Sequence, residues 1–365
     1  MPELNDLLRE FTGQTAINVL FLIAGAILVA INRTVNRTAR RVFFTSLLVL
    51  ACIALADWAT YIMSGTNPQL RWLHTLLMAL TFALAPFIPV AIADTVFPGT
   101  RTSWVHVILV AQAIVELATI FGGFVFFVDA NNVYHRGQLY VAYMATYTMS
   151  AIYLSVKSIR AGSTYQSANM GGILAILACM GTGVAIQVFN PNIRTTWPAV
   201  SMAVVLYFLF YTDMVLRTDA LTKLLNRHSY DEFLHNPPLP CIVVVIDIDN
   251  FKYINDTYGH AYGDECIATT GSLIRRAFGG CGLCYRTGGD EFTVVITKKL
   301  DSVEDQSDAL RELINQARLK DDRLPEVSIG YARANDDCAN ILTIVQEADK
   351  NMYASKRERK QLQRG

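Results

Sequence analysis

The feature that most limits this chain is the uneven spread of its charges. Only 19 of its 62 charged side chains fall within residues 1–216, which are filled instead by long apolar runs. A membrane-spanning helix needs about 20 mostly apolar residues. Seven such stretches can be read: Thr15–Ile31, Arg41–Met63, Leu73–Thr95, Trp104–Phe124, Leu139–Val156, Gly171–Val188 and Trp197–Leu216. Polar residues interrupt the fourth and fifth. The whole chain is 52% hydrophobic and 17% charged, against about 25% charged in an ordinary soluble domain. This pattern excludes a purely soluble protein, a disordered chain and a secreted disulfide scaffold. The expectation is an all-α membrane domain over residues 1–216 and a polar domain over 217–365.

Met1 to Gln14 carries Glu3, Asp6 and Glu10 and lacks the basic region of a cleavable signal peptide, so the first span is expected to be retained. Orientation follows from Lys and Arg in short loops. Arg33, Arg37, Arg40, Arg41, Arg101, Lys157 and Arg160 fall on one side, against Arg9, Arg71, Arg136 and Arg194 on the other. The richer side is cytoplasmic, which puts the N-terminus outside and the C-terminal domain inside. Trp72, Trp104 and Trp197 fit an interfacial aromatic belt.

Asp57 and Glu116 lie inside proposed spans, where a carboxylate faces either a cavity or a polar partner on another helix. The outer loop, Val128 to Gly137, reads as a ligand-reading segment or, slightly better, as a connector. Among seven cysteines, Cys281 and Cys284 form one lone C-x-x-C, for which ordinary reduced thiols are the favoured reading over a redox or metal role. No flexible linker separates the halves, so one continuous helix leaving the membrane is expected.

In the polar half, Cys241 to Ile246 is a continuous apolar run that delivers Asp247 and Asp249 to its C-terminal edge, as a buried strand does. Helices are expected over Arg227 to Leu234, Asn250 to Tyr258, Asp264 to Phe278, Ser302 to Leu319 and Asn340 to Arg357. Strands are expected over Leu283 to Arg286, Glu291 to Thr297 and Glu326 to Arg333. The Gly288-Gly289 pair marks a hairpin turn. The order predicts an α/β domain with a mostly antiparallel sheet and flanking helices. If the hairpin pairs beside the first strand, Asp247, Asp290 and Glu291 converge. Such a cluster calls for a hard cation, Mg²⁺ or Mn²⁺, and hence a phosphate substrate. The glycines at the tip would let backbone N–H groups approach phosphate oxygens.

Arg286-Thr287-Gly288-Gly289-Asp290-Glu291-Phe292 resembles the signature of the GGDEF family of diguanylate cyclases. Further matches occur in order: Asp219 to Arg227 resembles the opening motif D-x-L-T-G-L-x-N-R, and Asp247 to Asp256 resembles D-x-D-x-F-K-x-I-N-D. Gly259-His260, Gly263-Asp264, Ser328-Ile329-Gly330 and Ala348 to Lys356 continue the series. The resemblance covers about 145 residues and implies a nucleotidyl-cyclase-like palm. It also implies a homodimer in which two GTP molecules are condensed to cyclic di-GMP with release of two pyrophosphates. By position, Asp247, the Ile248 carbonyl, Asp290 and Glu291 should bind metal, and Asp290 is the candidate base for the 3′-hydroxyl. Lys252 should offset charge on the phosphates. Phe251, Gly288, Gly289, Lys356 and Lys360 belong with the substrate contacts, and Asn255 and Asp264 should read guanine. His260 either contacts substrate or caps a turn.

Departures from the family pattern also carry expectations. Gly279 and Gly282 stand where an inhibitory R-x-x-D product site would begin and end, so no product inhibition through that site is expected. Lys223 replaces a usual Gly, and Lys360 stands where an Arg is usual. The resulting expectation is a sensor enzyme of the bacterial inner membrane. Its partners would be the lipid bilayer and an unidentified signal, with no nucleic acid. A GTP-binding effector module and a transporter or receptor with an accessory domain are the competing readings. No Lys occurs in Trp197–Leu216 to carry a retinal.

Overall fold

The computed structural model describes residues 2–96, 102–164, 170–189, 194–335 and 340–362. Arg101 and the side chain of Lys360 lie outside the described residues. The chain divides into two compact units, one reaching to Asp213 and the other starting at Met214.

The first unit is helical. Its elements are α1 (Pro2–Ile31), α2 (Arg37–Met63), α3 (Arg71–Leu84), α4 (Phe87–Val96), α5 (Ser103–Gly122), α6 (Tyr140–Thr164) and α7 (Met170–Phe189). The final helix, α8, is Thr196–Arg217, and the division between the units falls inside it. Among the described residues, five segments are long and apolar enough to cross a membrane: Arg9–Ile31, Arg37–Met63, Pro68–Val96, Ser103–Gly122 and Thr196–Arg217. That is fewer than the seven read from sequence. Tyr, Thr and Ser recur along α6, and α7 contributes a described apolar stretch at Gly171–Gln187, so seven spans are not established. The third predicted span is broken between α3 and α4, where Pro86 and Pro89 interrupt helical hydrogen bonding.

Polar groups inside this unit are mostly partnered. Asp57 meets Arg194 Nη1 at 3.1 Å. Glu116 is fully buried and accepts from Gln112, while its second oxygen has no partner among the described residues. Lys157, counted above as a loop cation, lies within α6. Its ammonium reaches Asp94 at 2.9 Å, and Asp94 also takes Tyr153 Oη at 2.6 Å and His106 Nε2 at 2.9 Å. The expected connector at 128–137 contains half of a two-stranded hairpin, β1 (Phe126–Val128) with β2 (Tyr134–Arg136). Its turn is closed by Asn132, buried and left-handed at φ 63°.

The second unit contains α9 (Arg227–His235), β3 (Cys241–Ile248), α10 (Phe251–Tyr258), α11 (His260–Phe278), β4 (Gly282–Arg286) and β5 (Glu291–Ile296). It continues with α12 (Val303–Arg318), β6 (Val327–Ala334) and α13 (Ile341–Leu362). The sheet order is β4-β5-β3-β6, with every pairing antiparallel. The apolar run in β3 is continuous because both faces are covered. Ile242, Val244 and Ile246 pack with Ile274, Phe278 and Leu310 on one side. Val243 and Val245 pack with Tyr230, Phe233 and Met352 on the other. Each such aliphatic side chain, fully buried, contributes about 1.5–3 kcal/mol.

Candidate active site

The site grows from the end of β3. Ile246 and Ile248 point into the core and are fully buried, so Asp247 between them faces the opposite side, the side α13 covers. Register places Asp247 opposite Glu291 on β5 and opposite Ser328 on β6. The condition on which the acidic cluster depended, a hairpin paired beside the first strand, is therefore met. The Ile248 N–H donates to the Asp290 carbonyl at 3.2 Å, fastening the 287–290 turn to the strand end.

The last helix reaches this edge because of Gly330. A Cβ there would run into Met352 N and Ala348 O, so only a glycine lets the α13 backbone lie directly on β6. One turn beyond Met352, Lys356 ion-pairs with Asp247, and its ammonium stands 4.0 Å from Asp249 Oδ1. Asp249 Oδ1 accepts from the fully buried Ser328 hydroxyl at 2.7 Å.

The charges here are crowded. Burial pushes the Asp247 carboxyl up, Lys356 pulls it down, and Asp290 and Asp249 push it up again, for a net rise. Glu291 is also raised, first by burial and then by Asp290, Asp247 and Asp349. Burial disfavours the Lys356 ammonium, but Asp247, Asp249 and Asp290 more than offset it, and its value rises. Both members of the Lys356–Asp247 pair move up: Asp247 chiefly because it is buried and next because other acids stand nearby, Lys356 because several acids surround it. Negative charge remains in excess, and the donors are oxygens, a set suited to a hard divalent cation. As arranged, no three His, Cys, Asp or Glu side chains among the described residues form a closed metal-binding group. Lys356 provides the positive charge at Asp247.

A second group sits on the α10–α11 corner. Gly263 on α11 faces Asn255 so closely that a Cβ would strike Asn255 Oδ1, with Phe251 Cζ at 3.3 Å. Asn255 is thus held against the first turn and a half of α11, where Asp264 and His260 are exposed. Lys252 is exposed on α10 and makes no hydrogen bond or ion pair among the described residues. No such bond joins this corner to the Asp247 cluster. Cys281 and Cys284 are both buried in the core, and burial raises the Cys281 thiol.

Sequence reasoning did not assign Asp219 a structural role. Arg286 binds it and also donates to the Gly289 carbonyl at 2.8 Å, bracing the glycine turn. Nothing in local spacing signals a contact between residues so far apart. The Asp249–Ser328 bond was missed for the same reason.

Residues 216–362 match the family described as diguanylate cyclase, GGDEF domain. Diguanylate cyclase DgcS of Shewanella oneidensis is 30% identical over 155 residues, which are 40% of this chain and 52% of that protein. Diguanylate cyclase DosC of Escherichia coli K12 is 32% identical over 151 residues, 38% of this chain and 33% of that one. The chain spans about half or less of the length of these curated relatives. A crystal structure of the GGDEF domain of DgcB from Caulobacter crescentus in complex with c-di-GMP is 29% identical. That match covers 39% of this chain and 91% of the other, at a TM-score of 0.34.

Proposed function

We propose, from a C-terminal unit that is a GGDEF domain, that this protein is a membrane-bound diguanylate cyclase that condenses two GTP into cyclic di-GMP and two pyrophosphates. The observation that carries the reading is the strand register setting Asp247 against Glu291, with the Gly288-Gly289-Asp290 turn fastened to the same strand end. Family membership of residues 216–362 supports it.

In this reading Asp247, the Ile248 carbonyl, Asp290 and Glu291 hold Mg²⁺ or Mn²⁺. When bound, the ion supplies charge neutralisation and polarisation of the phosphates. The chain's own groups do the rest. Asp290 accepts the proton of a 3′-hydroxyl, whose oxygen then forms a bond to the α-phosphorus of the other GTP as pyrophosphate departs. Lys252 and Lys356 stabilise the negative charge that builds on the phosphates. Gly288 and Gly289 admit the phosphates close to the backbone. Asp264 and Asn255 read guanine, whose adjacent N1–H and N2–H₂ donors suit a carboxylate; adenine would leave that acid desolvated and unpaired. Phe251 and His260 border the base, and Lys360 adds charge near the terminal phosphates.

Each domain carries one GTP, so two protomers must meet. The domains divide at 216/217, and the helical part anchors the enzyme in the bacterial inner membrane with the catalytic unit cytoplasmic and the N-terminus outside. Its signal reaches catalysis by changing how two cyclase domains align. The test is incubation of the full chain with GTP and Mg²⁺. Wild type should yield cyclic di-GMP and pyrophosphate, and Glu291→Ala should lose about 10²-fold or more of that rate while still inserting in membranes. Undiminished synthesis by the variant would contradict the reading.

A further inference from the structure

The helical unit contains a cavity of about 910 Å³, within the usual size of small-molecule sites, roughly 300–1,000 Å³. It lies among the C-terminal ends of α2 and α7, the β1–β2 hairpin, much of the length of α3, and the N-terminal parts of α6 and α8. No residue of the nucleotide site borders it.

Its wall is aromatic, with Tyr61, Phe82, Tyr134, Tyr140, Tyr143 and Trp197 facing it. Phe82 and Tyr143 stack at 4.4 Å and 17°, and Phe126 stands edge-on to Phe82 at 5.4 Å. Rings locked in this way make flat, rigid surfaces for a planar or apolar body.

The charge on the wall is biased. Asp57 is the one carboxylate on the described lining, and it is paired with Arg194. That guanidinium also lies over the Tyr61 ring at 4.8 Å. Arg136 lies over the Tyr140 ring at 4.8 Å, and no carboxylate pairs with it among the described residues. Asp57 and Arg194 offset one another, which leaves Arg136 as a cation on the described lining with no carboxylate paired to it. Arg136 also donates a hydrogen bond to the Tyr134 hydroxyl, and a guanidinium held flat on a ring presents its several edge N–H groups in one plane, suited to a planar anion.

The strand that presents Arg136 is held in place beforehand. Asn132 donates through Nδ2 to the Met63 carbonyl at 2.6 Å, and its Oδ1 faces His74 Nδ1 at 3.0 Å. Gly65 N–H donates to the Asn132 carbonyl at 3.1 Å. Arg71 Nε donates to the Val128 carbonyl at 2.8 Å. These bonds fasten both ends of the hairpin turn to α2 and α3, so the site is built without a ligand.

We propose that this cavity binds a small organic carboxylate with an aromatic or apolar body, its carboxylate on Arg136 and its body against the Phe82–Tyr143 wall. An organic cation would find the same rings but would meet the surplus guanidinium and no free carboxylate. The inference concerns binding alone and does not depend on the cyclase reading.

The full chain in nanodiscs, titrated calorimetrically with 3-phenylpropanoate, 3-phenylpropanamide and 3-phenylpropylammonium, tests it. The carboxylate should bind at least 10-fold more tightly than the amide or the ammonium. Arg136→Gln should remove that margin, and Arg136→Lys should keep part of it. The wild-type comparison decides even if a variant is poorly folded. An amide or ammonium that binds as well as the carboxylate, a margin that survives in Arg136→Gln, or no binding of any probe would overturn the proposal.

Discussion

Arg286 and Asp219 meet in a two-point contact, with Arg286 Nη1 at 3.2 Å from each oxygen of the carboxylate. The same guanidinium holds the Gly289 carbonyl. The segment that follows α8 is thereby fastened to the turn bearing Gly288, Gly289 and Asp290. Both side chains are mostly buried, so screening is weak and a hydrogen bond to a charged group is worth about 1.5–3 kcal/mol. Asp219→Ala should destabilise the protein by an amount of that order in thermal unfolding. It should also lower cyclic di-GMP synthesis, because the turn loses its brace.

The pH dependence of that contact has a definite sign. Burial pushes the Asp219 carboxyl up, but the Thr222 N–H and hydroxyl together with Arg286 outweigh it and hold it below its ordinary 3.8. The stabilisation is therefore complete above that value and is lost as pH falls through the depressed folded value. Asp219→Asn should be less stable than wild type at pH 7, and the gap should close under acid conditions below about pH 3.8. A gap independent of pH would show that the carboxylate charge is not what matters.

Glu291 has the opposite sign. Partial burial, then Asp290 and Asp247, raise its carboxyl above the ordinary 4.5, so the folded protein loses stability as pH rises through that window. Glu291→Gln should raise the melting temperature of metal-free protein at pH 8 while abolishing cyclic di-GMP synthesis. Mg²⁺ should stabilise wild type more than the variant, and chelation should remove that added stabilisation and leave the variant the more stable of the two.

Lys356→Gln removes the ammonium that pairs with Asp247. Metal-free protein should become less stable, and the KM for GTP should rise about tenfold or more, as expected when a charged contact to phosphate is lost. Millimolar Mg²⁺ should restore the stability but not the KM.

Gly330→Ala tests how closely α13 lies on the sheet. The new methyl meets backbone atoms of Met352 and Ala348, and overpacking of this kind costs about 1–3 kcal/mol. Because Lys356 is one turn further along α13 than Met352, activity should fall although residue 330 lies beneath the helix. Assays of unfolding and synthesis on the same preparation measure both effects.

Much of the second unit was legible because local signals agreed. The apolar run ending in Asp247, the Gly-Gly turn and the amphipathic α11 and α12 each specify one element, and the observed boundaries lie within a few residues. Contacts between distant residues, such as Arg286–Asp219 and Lys356–Asp247, carry no spacing that sequence could reveal. The first unit was harder. Composition identified apolar helices, but α6 interleaves Tyr, Thr and Ser with apolar residues so regularly that apolar length alone does not establish it as a span. The pairing of Lys157 with Asp94 depends on tertiary packing, and so does the aromatic cavity.

Gly282 begins β4 opposite Ile296, and a Cβ there would run into the Val295 carbonyl and stand 2.8 Å from Ile296 Cα. The position where related enzymes would carry the acid of a product brake is thus sterically barred in this protein. Grafting Arg and Asp onto 279 and 282 would prise β4 from β5 before any feedback could be gained. The proposed cyclase is therefore expected to lack product inhibition through this position, so added cyclic di-GMP should not slow synthesis by way of β4.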